Sequence, residues 1–444
     1  MYSIVLSSLE KYRKKIAEVK PFNLIGYIDL VAGLIIESIG PPASVGEVCR
    51  IYSIEKNEEI LVEVVGFKQN RLILMPIGNV SGVKPGFLVS PLGKSLSVKV
   101  NPKILGRVLD GLGRPLDEGP PIEDGIDCPL KNTPPHPLKR ERIKEIIPVG
   151  VKAIDGLLTC GKGQRIGIFA GSGVGKSTLL GMIARYSKAD VSVIALVGER
   201  GREVRDFIEK SLGEEGLSRS VVVVATSDQA PIIRLKAAFT ATAIAEYFRD
   251  TGKDVILLMD SVTRFAMAQR EVGLASGEPP TTKGYTPSVF ALLPLLLERS
   301  GNSEKGSITG FYTVLVEADD MNEPIADAVR AILDGHIVLS RDIAMENRYP
   351  PIDILASISR AMPDIVSKEH MRVANKFREI MNVYAQAKDL IQIGAYVSGS
   401  DPRVDSARNL IYEIYSFLSQ DIEEKVIFED TLNSISSIVS KYGF

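Results

Sequence analysis

The strongest constraint on this chain is a glycine-rich loop that lies between an apolar strand and an apolar helix. The loop comprises Gly171, Ser172, Gly173, Val174, Gly175, Lys176, Ser177 and Thr178. Backbone N–H groups in such a turn point inward at a phosphate, and the helix N-terminus adds positive potential. A lysine at the place of Lys176 reaches the β- and γ-phosphates, and the hydroxyl of Ser177 ligates Mg²⁺. The motif predicts a nucleotide-binding P-loop, although Ala170 stands where the usual pattern has glycine.

Two acidic residues follow apolar strands and are candidates for the same site. Asp260 ends the run Val255–Asp260, and in P-loop enzymes such an aspartate holds Mg²⁺, usually through water. Glu199 stands directly after the predicted strand Val191–Val197, at the edge of a parallel sheet where ligands bind. The pattern alone leaves open that Asp260 caps a turn and that Glu199 is an ordinary surface acid.

Composition excludes several other classes of protein. The formal net charge of the 444 residues is −2, which gives no global argument for a nucleic-acid partner. The longest strongly apolar stretch, Val289–Leu297, is far shorter than the ~20 residues that cross a bilayer. The basic run that follows the first six residues is the reverse of a secretory signal, so a cytoplasmic protein is predicted.

The cysteines and histidines are few and widely spaced. Neither set fits a disulfide framework, a zinc site or a Ser-His-Asp triad, so the chemistry is expected to depend on carboxylates, Lys, Arg and backbone amides. These residues are Cys49, Cys128, Cys160, His136, His336 and His370.

The pattern of apolar residues divides the chain into three predicted domains. Residues 1–92 hold an N-terminal arm and short strands separated by turns, which predict a small β-barrel. Residues 93–366 begin with a Pro- and Gly-rich extended connection and continue with alternating strands and helices, typical of a RecA-like parallel sheet covered by helices. Residues 367–444 have only helical periodicity and predict a C-terminal helical domain. The predicted fold class is therefore multidomain α/β.

The first twenty residues have a basic, amphipathic pattern. Val5, Leu9, Tyr12 and Ile16 recur at helical spacing. We predict either an arm that packs on its own domain or a docking helix for a partner or a membrane surface.

Four motifs together resemble the catalytic subunits of rotary ATPases and their type III protein export relatives. They are the P-loop, Gly198-Glu199-Arg200, Asp260-Ser261-Val262-Thr263-Arg264, and the long segment from Pro350 to Arg360. The resemblance extends over nearly the whole chain. Gly394-Ala395-Tyr396 is similar to the flagellar branch of the export ATPases.

The resemblance implies a role for each residue of the site. ATP and Mg²⁺ would be the ligands, and Lys176 and Glu199 would be catalytic, with Glu199 polarising the attacking water. Arg200 would be the neighbour of Glu199 in the site, and Tyr349 would lie against the adenine. Arg360 would be an arginine finger that reaches into the adjoining subunit.

The resemblance also implies an assembly and a function. Glu199 and Arg360 occur in one chain, so identical subunits could complete each other's sites in a homohexamer. The implied activity is ATP hydrolysis coupled to flagellar protein export, at the cytoplasmic base of the export apparatus. Implied partners are a stator-like regulator at the N-terminal helix, a coiled-coil stalk protein, the export gate, and export substrates or chaperones. Peripheral association with the membrane is also open.

Four alternatives remain at this point. One is the catalytic subunit of a rotary ATP synthase, and another is a virulence-type secretion ATPase. A third is an RNA-dependent hexameric motor, for which the few aromatic residues of the first domain give little support. The fourth, a non-catalytic ring subunit, is disfavoured by Glu199.

Overall fold

The computed structural model describes residues 12–13, 24–53, 59–78, 82–316 and 320–442. It divides into two compact units, Met1–Leu96 and Ser97–Phe444. The predicted amphipathic helix at the N-terminus falls outside the described residues except for Tyr12 and Arg13.

The first unit contains a closed barrel of antiparallel strands. Around the barrel the order is β1-β2-β5-β4-β3-β6, and β6 pairs with β1. Alternate residues of these strands point inward and form a small apolar core that includes Ile28, Cys49 and Val62. The strands are β1 (Gly26–Ala32), β2 (Ile35–Ile39), β3 (Glu47–Tyr52), β4 (Glu59–Lys68), β5 (Arg71–Pro76) and β6 (Leu88–Ser95). The predicted barrel is confirmed.

One strand boundary in the barrel differs from the sequence pattern. The β-like pattern of residues 31–39 predicts a single run, but the structure has a hairpin in which Ala32 pairs with Ile35. Gly33 makes the turn with a φ of +58°, a left-handed conformation that glycine adopts without steric cost. Because the apolar pattern continues through this tight turn, the sequence alone does not show where the first strand ends.

The second unit is built on a mixed sheet whose central strands are parallel. Within the described residues the order is β17-β16-β10-β15-β13-β11-β12-β8, with β14 paired to β15 and with β17 antiparallel at the edge. A separate ribbon joins β7 to β9. The strands are β7 (Ser97–Val100), β8 (Val108–Asp110), β9 (Ile126–Pro129), β10 (Arg165–Ala170), β11 (Val191–Glu199), β12 (Ser220–Thr226), β13 (Asp254–Asp260), β14 (Gly301–Asn302), β15 (Ser307–Leu315), β16 (Gly335–Leu339) and β17 (Ile352–Ser359).

The Pro- and Gly-rich tract is more than a connection. It supplies β9, and β8 at its start pairs in parallel with β12 and so extends the main sheet. Three residues make too short a strand for periodicity to reveal, because β8 is defined by its backbone pairing with a distant strand.

Helices lie between the strands and fill the C-terminal part of the chain. They are α1 (Lys152–Leu157), α2 (Lys176–Tyr186), α3 (Gly201–Asp206), α4 (Gly213–Ser218), α5 (Pro231–Asp250), α6 (Val262–Ala275), α7 (Pro287–Leu297), α8 (Pro324–Ile332), α9 (Arg341–Met345), α10 (Met362–Ile365), α11 (Lys368–Gln392), α12 (Pro402–Leu418) and α13 (Phe428–Ser440). Short 3₁₀-helices cover Pro102–Ile104 and Thr282–Gly284, and a π-helix covers Phe207–Leu212. In the described part of the chain, no helix combines the length and the apolarity needed to cross a membrane.

The C-terminal helices share a hydrophobic core with the sheet. One cluster of buried side chains includes Ile168 of β10, Phe377 of α11, Ile411 of α12 and Ile435 of α13. Helical structure after residue 367 therefore agrees with the sequence, whereas a domain boundary at residue 366 stays a prediction.

Candidate active site

The glycine-rich loop joins the end of β10 to the start of α2. Gly173 and Gly175 have φ values of +79° and +86°, in the left-handed region that side chains rarely adopt. Gly175 directly precedes the helix, so the free backbone N–H groups of the first helical turn face the loop. The sequence pattern therefore forms a backbone cradle for an anion at a helix N-terminus.

Parallel strands bring three charged residues to one edge of the sheet. The loop follows β10, Asp260 ends β13 and Glu199 ends β11, and these strands all point the same way. The Nζ atom of Lys176 forms an ion pair with Oδ1 of Asp260, and it lies 3.6 Å from Oε1 of Glu199. The ammonium group of Lys176 thus contacts both carboxylates at the end of the glycine-rich loop.

Burial controls the protonation of this cluster. Burial, opposed by Lys176 and reinforced by the carboxylate of Asp260, raises the pKa of Glu199 to about 7. Burial alone would lower the pKa of Lys176, but the carboxylates of Asp260 and Glu199 outweigh it and raise that pKa. Lys176 is therefore a permanent cation near neutral pH, while Glu199 is poised between its charged and neutral forms.

Thr313 fixes the orientation of Asp260 and was not singled out by the sequence. It lies on β15, between β10 and β13, and is completely buried. Its hydroxyl lies 2.8 Å from Oδ1 of Asp260 and 3.2 Å from the carbonyl oxygen of Met259. A threonine within an apolar strand carries no motif, so only the strand order could reveal this contact.

Arg264 also lies beside the site. Its position at the end of the motif that begins at Asp260 could have indicated this. A Cβ atom on Gly198 would lie 2.9 Å from Cβ of Arg264, so the arginine stem packs directly against the residue before Glu199. Among the described residues, its buried Nε atom has no hydrogen-bond partner.

Arg200 and Tyr349 take different places relative to the loop. The Arg200 side chain is 81% exposed and pairs at 3.4 Å with Glu203, so it does not join the buried cluster. The Tyr349 ring is close to the loop, because a Cβ atom on Gly175 would lie 3.8 Å from its Cδ1 and Cε1 atoms. Tyr349 is 45% exposed, so a ligand can reach either side chain.

Arg360 lies at the opposite edge of the sheet from the P-loop of its own chain. Its backbone N–H donates to the carbonyl oxygen of Asp334 at 3.0 Å, and the Asp334 side chain pairs with Arg165 at the start of β10. The P-loop follows the other end of that six-residue strand, about 16 Å away at the rise of a β-strand. The exposed Arg360 side chain cannot cover this distance, so it does not belong to the site of its own chain.

Comparison with known proteins agrees with this geometry. The sequence matches the ATP synthase alpha/beta family, nucleotide-binding domain, over residues 150–359, and the T3SS EscN ATPase C-terminal domain over residues 366–437. It is 56% identical to the flagellum-specific ATP synthase of Bacillus subtilis, over 94% of this chain and 95% of the relative. The chain belongs to the family of flagellar and type III secretion ATPases.

Other members of this family are similar over the same length. The type 3 secretion system ATPase of Xanthomonas euvesicatoria is 51% identical, with 93% of each chain covered. The assembled ATPase EscN from the type III secretion system of enteropathogenic E. coli has a TM-score of 0.88 and 48% identity. That match covers 93% of this chain and 100% of EscN. The predicted family and fold class are confirmed.

Proposed function

We propose that this chain hydrolyses ATP and couples hydrolysis to the export of flagellar proteins through a type III secretion apparatus. The observation that carries the proposal is the cluster of Lys176, Asp260 and Glu199 at the P-loop edge of the sheet. It occurs in a chain that is 56% identical to a flagellum-specific ATP synthase.

Each residue of the cluster has a part in phosphoryl transfer to water. The loop amides and Lys176 hold the phosphates. To bind them, the ammonium group of Lys176 leaves its contacts with the carboxylates of Asp260 and Glu199 and contacts the phosphate oxygens instead. Glu199 accepts a proton from the attacking water or orients it, and its pKa of about 7 suits a base near neutral pH. Tyr349 lies close enough to Gly175 to contact the base of a nucleotide held by the loop.

The oxygen donors of the site suit Mg²⁺. The Ser177 hydroxyl and the buried Asp260 carboxylate are hard ligands, and P-loop enzymes hold Mg²⁺ with this pair of residue types together with the phosphates of the nucleotide. When bound, the ion supplies neutralisation of the charge that develops on the transferred phosphate.

Arg360 is proposed to act on the adjoining subunit. It lies too far from its own P-loop, and it is exposed at the end of the edge strand β17. Solved structures show EscN as an assembled ATPase and in complex with its central stalk EscO. These similarities support a homohexameric ring with a stalk protein at the cytoplasmic base of the export apparatus. The proposal includes further partners: a regulator at the predicted N-terminal helix, the export gate, and export cargo or chaperones. It also includes contact with the membrane.

The proposal is tested with two substitutions in the cluster and one control. Lys176→Ala should lose ATP binding and hydrolysis, while Glu199→Gln should bind ATP but lose hydrolysis, because the amide cannot accept the proton. Lys210→Ala, which changes a lysine that is 75% exposed, should behave as the wild type. Phosphate release and ATP binding are measured on each variant, and wild-type turnover in Lys176→Ala would refute the phosphate assignment.

A virulence-type secretion ATPase is the second candidate, since the Xanthomonas relative is 51% identical. The flagellar assignment predicts that the neighbouring genes encode flagellar parts. It also predicts that deletion of the gene abolishes motility and leaves the secretion of virulence proteins intact.

A further inference from the structure

The residues before Tyr349 are held by the two longest C-terminal helices. The guanidinium carbon of Arg348 lies 3.8 Å from the centroid of the Tyr415 ring on α12. The carboxylate of Glu346 accepts from Arg348 Nε and from Lys388 Nζ of α11, each at 3.0 Å. The segment that ends in Tyr349 is thus attached to α11 by an ion pair and to α12 by a cation–π contact.

Tyr349 itself is held by Gln420, which lies just after the end of α12. The backbone N–H of Gln420 donates to the carbonyl oxygen of Tyr349 at 2.8 Å. The buried side chain of Gln420 bridges to the start of α1, because it accepts from Lys152 N and donates to Gly150 O, both at 2.8 Å. The backbone of Tyr349 is therefore fixed from both sides by residues outside the parallel sheet.

The Tyr349 ring depends on this backbone for its position. It is 45% exposed, and its near neighbour at the P-loop is Gly175, which has no side chain to hold it. Because nearly half of the ring is free of packing, its position depends on its own backbone, so a shift of residues 346–349 should move the ring relative to the phosphate loop.

We propose that Tyr415 and Lys388 are positioning residues that set Tyr349 against the base of the bound nucleotide. The inference rests on the proposed function, because it requires an adenine nucleotide at the P-loop. It assigns to α11 and α12 a control over the base-dependent part of nucleotide affinity, separate from the phosphate contacts of Lys176 and the loop. The phosphates would be held equally well with or without the contacts to Tyr415 and Lys388.

The test compares two ligands that differ only in the nucleoside. Dissociation constants of Mg·ADP and Mg·pyrophosphate are measured by calorimetry on the full chain. Tyr415→Leu removes the aromatic face that holds Arg348. It should weaken Mg·ADP about threefold to tenfold, which corresponds to partial loss of a base–aromatic stack, and leave Mg·pyrophosphate unchanged. Tyr415→Phe keeps the ring and should bind Mg·ADP as the wild type does.

Two further variants complete the design. Tyr412→Leu makes the same change on the same helix at a side chain that is 82% exposed, and it should have no effect. Lys388→Met removes the lysine partner of Glu346 from a partly exposed position, so it provides a milder variant should Tyr415→Leu fail to fold. It should weaken Mg·ADP in the same direction and leave Mg·pyrophosphate unchanged.

Each remaining outcome would overturn the inference. Unchanged Mg·ADP binding in both Tyr415→Leu and Lys388→Met would show that α11 and α12 do not set Tyr349. Equal weakening of both ligands would show a general structural defect in place of positioning. A wild-type chain that bound neither ligand would refute the proposed function itself, whereas wild-type binding with unaffected variants would refute only the inference.

Discussion

In the proposed function Glu199 is the base, so its protonation state should control hydrolysis. Burial raises its pKa to about 7, so at lower pH the carboxyl group holds a proton and cannot accept one from water. Lys176, whose pKa is raised, keeps its charge through the same range. The two groups therefore respond differently to pH although they lie 3.6 Å apart.

We expect kcat/KM for ATP to rise with pH and to level off above about 7, because this parameter reports the ionisation of the free enzyme. The measurement is a pH–rate profile at saturating Mg²⁺. ATP binding measured in parallel separates titration of the substrate from that of the protein. A profile that is flat between pH 5 and 8 would contradict the role of Glu199 as the base.

Thr313 gives a second prediction at the scale of the residue. Thr313→Val keeps the shape of the side chain but removes the hydroxyl that lies 2.8 Å from Asp260 Oδ1. Loss of one buried hydrogen bond is worth about 1 kcal/mol, so the Mg²⁺ concentration for half-maximal ATPase activity should rise roughly fivefold.

The Thr313 prediction has a readout that does not depend on turnover. Affinity for ADP should fall in the presence of Mg²⁺ and stay unchanged in its absence. Thr313→Ser, which keeps the hydroxyl, should restore wild-type behaviour. Equal Mg²⁺ dependence in all three proteins would show that Thr313 does not orient Asp260.

Among the elements, α5 carries one half of a buried ion pair, and the other half also contacts the extended tract. The guanidinium of Arg299 donates to both carboxylate oxygens of Glu246 on α5, at 2.9 and 2.6 Å. It also donates to the carbonyl oxygen of Leu130 at 2.6 Å, and only 1% of its side chain is exposed. The pair satisfies its hydrogen bonds inside the unit, and through Arg299 it attaches the segment at Leu130, which has no regular structure, to α5.

Arg299→Leu should destabilise the second unit by about 3–5 kcal/mol, because it leaves the Glu246 carboxylate buried without its cation. The measurement is the urea dependence of unfolding followed by circular dichroism. Arg372→Leu, which breaks a pair whose two side chains are 70% and 69% exposed, is the matched control and should leave the midpoint unchanged. Equal midpoints for the two variants would mean that the buried pair contributes little.

At the scale of the whole molecule, the proposed role of Arg360 requires a second chain. Lys176 and Glu199 lie at one edge of the sheet and Arg360 lies at the other. In the proposed ring, the Arg360 side chain of each subunit would reach the P-loop of the next subunit.

Mixing two inactive variants tests the ring directly. Glu199→Gln subunits keep Arg360, and Arg360→Ala subunits keep Glu199, so some interfaces of a mixed ring pair one intact residue with the other. Those interfaces should recover ATPase activity, since an arginine finger contributes on the order of 10³–10⁵ in rate. If mixed rings are shown to form and stay inactive, Arg360 does not act on the neighbouring subunit.

Features that depend on local chemistry could be predicted from the order of residues alone. The glycine-rich loop, the strand that ends in Asp260 and the helical period after residue 367 each follow from residues close together in the chain. Such patterns are local because a turn, a strand or a helix is defined by neighbouring dihedral angles. Family resemblance added Tyr349 and Arg360, whose roles no local pattern could supply.

Features that depend on strand order and distant contacts became visible with the folded structure. It placed Thr313 beside Asp260, left Arg200 exposed, and set Arg360 at the sheet edge away from its own P-loop. It also joined Arg348 to Tyr415, residues that belong to a turn and a helix far apart in the chain. Strand pairing and helix packing bring together residues from separate parts of the sequence, and the periodicity of apolar residues does not indicate which elements become neighbours.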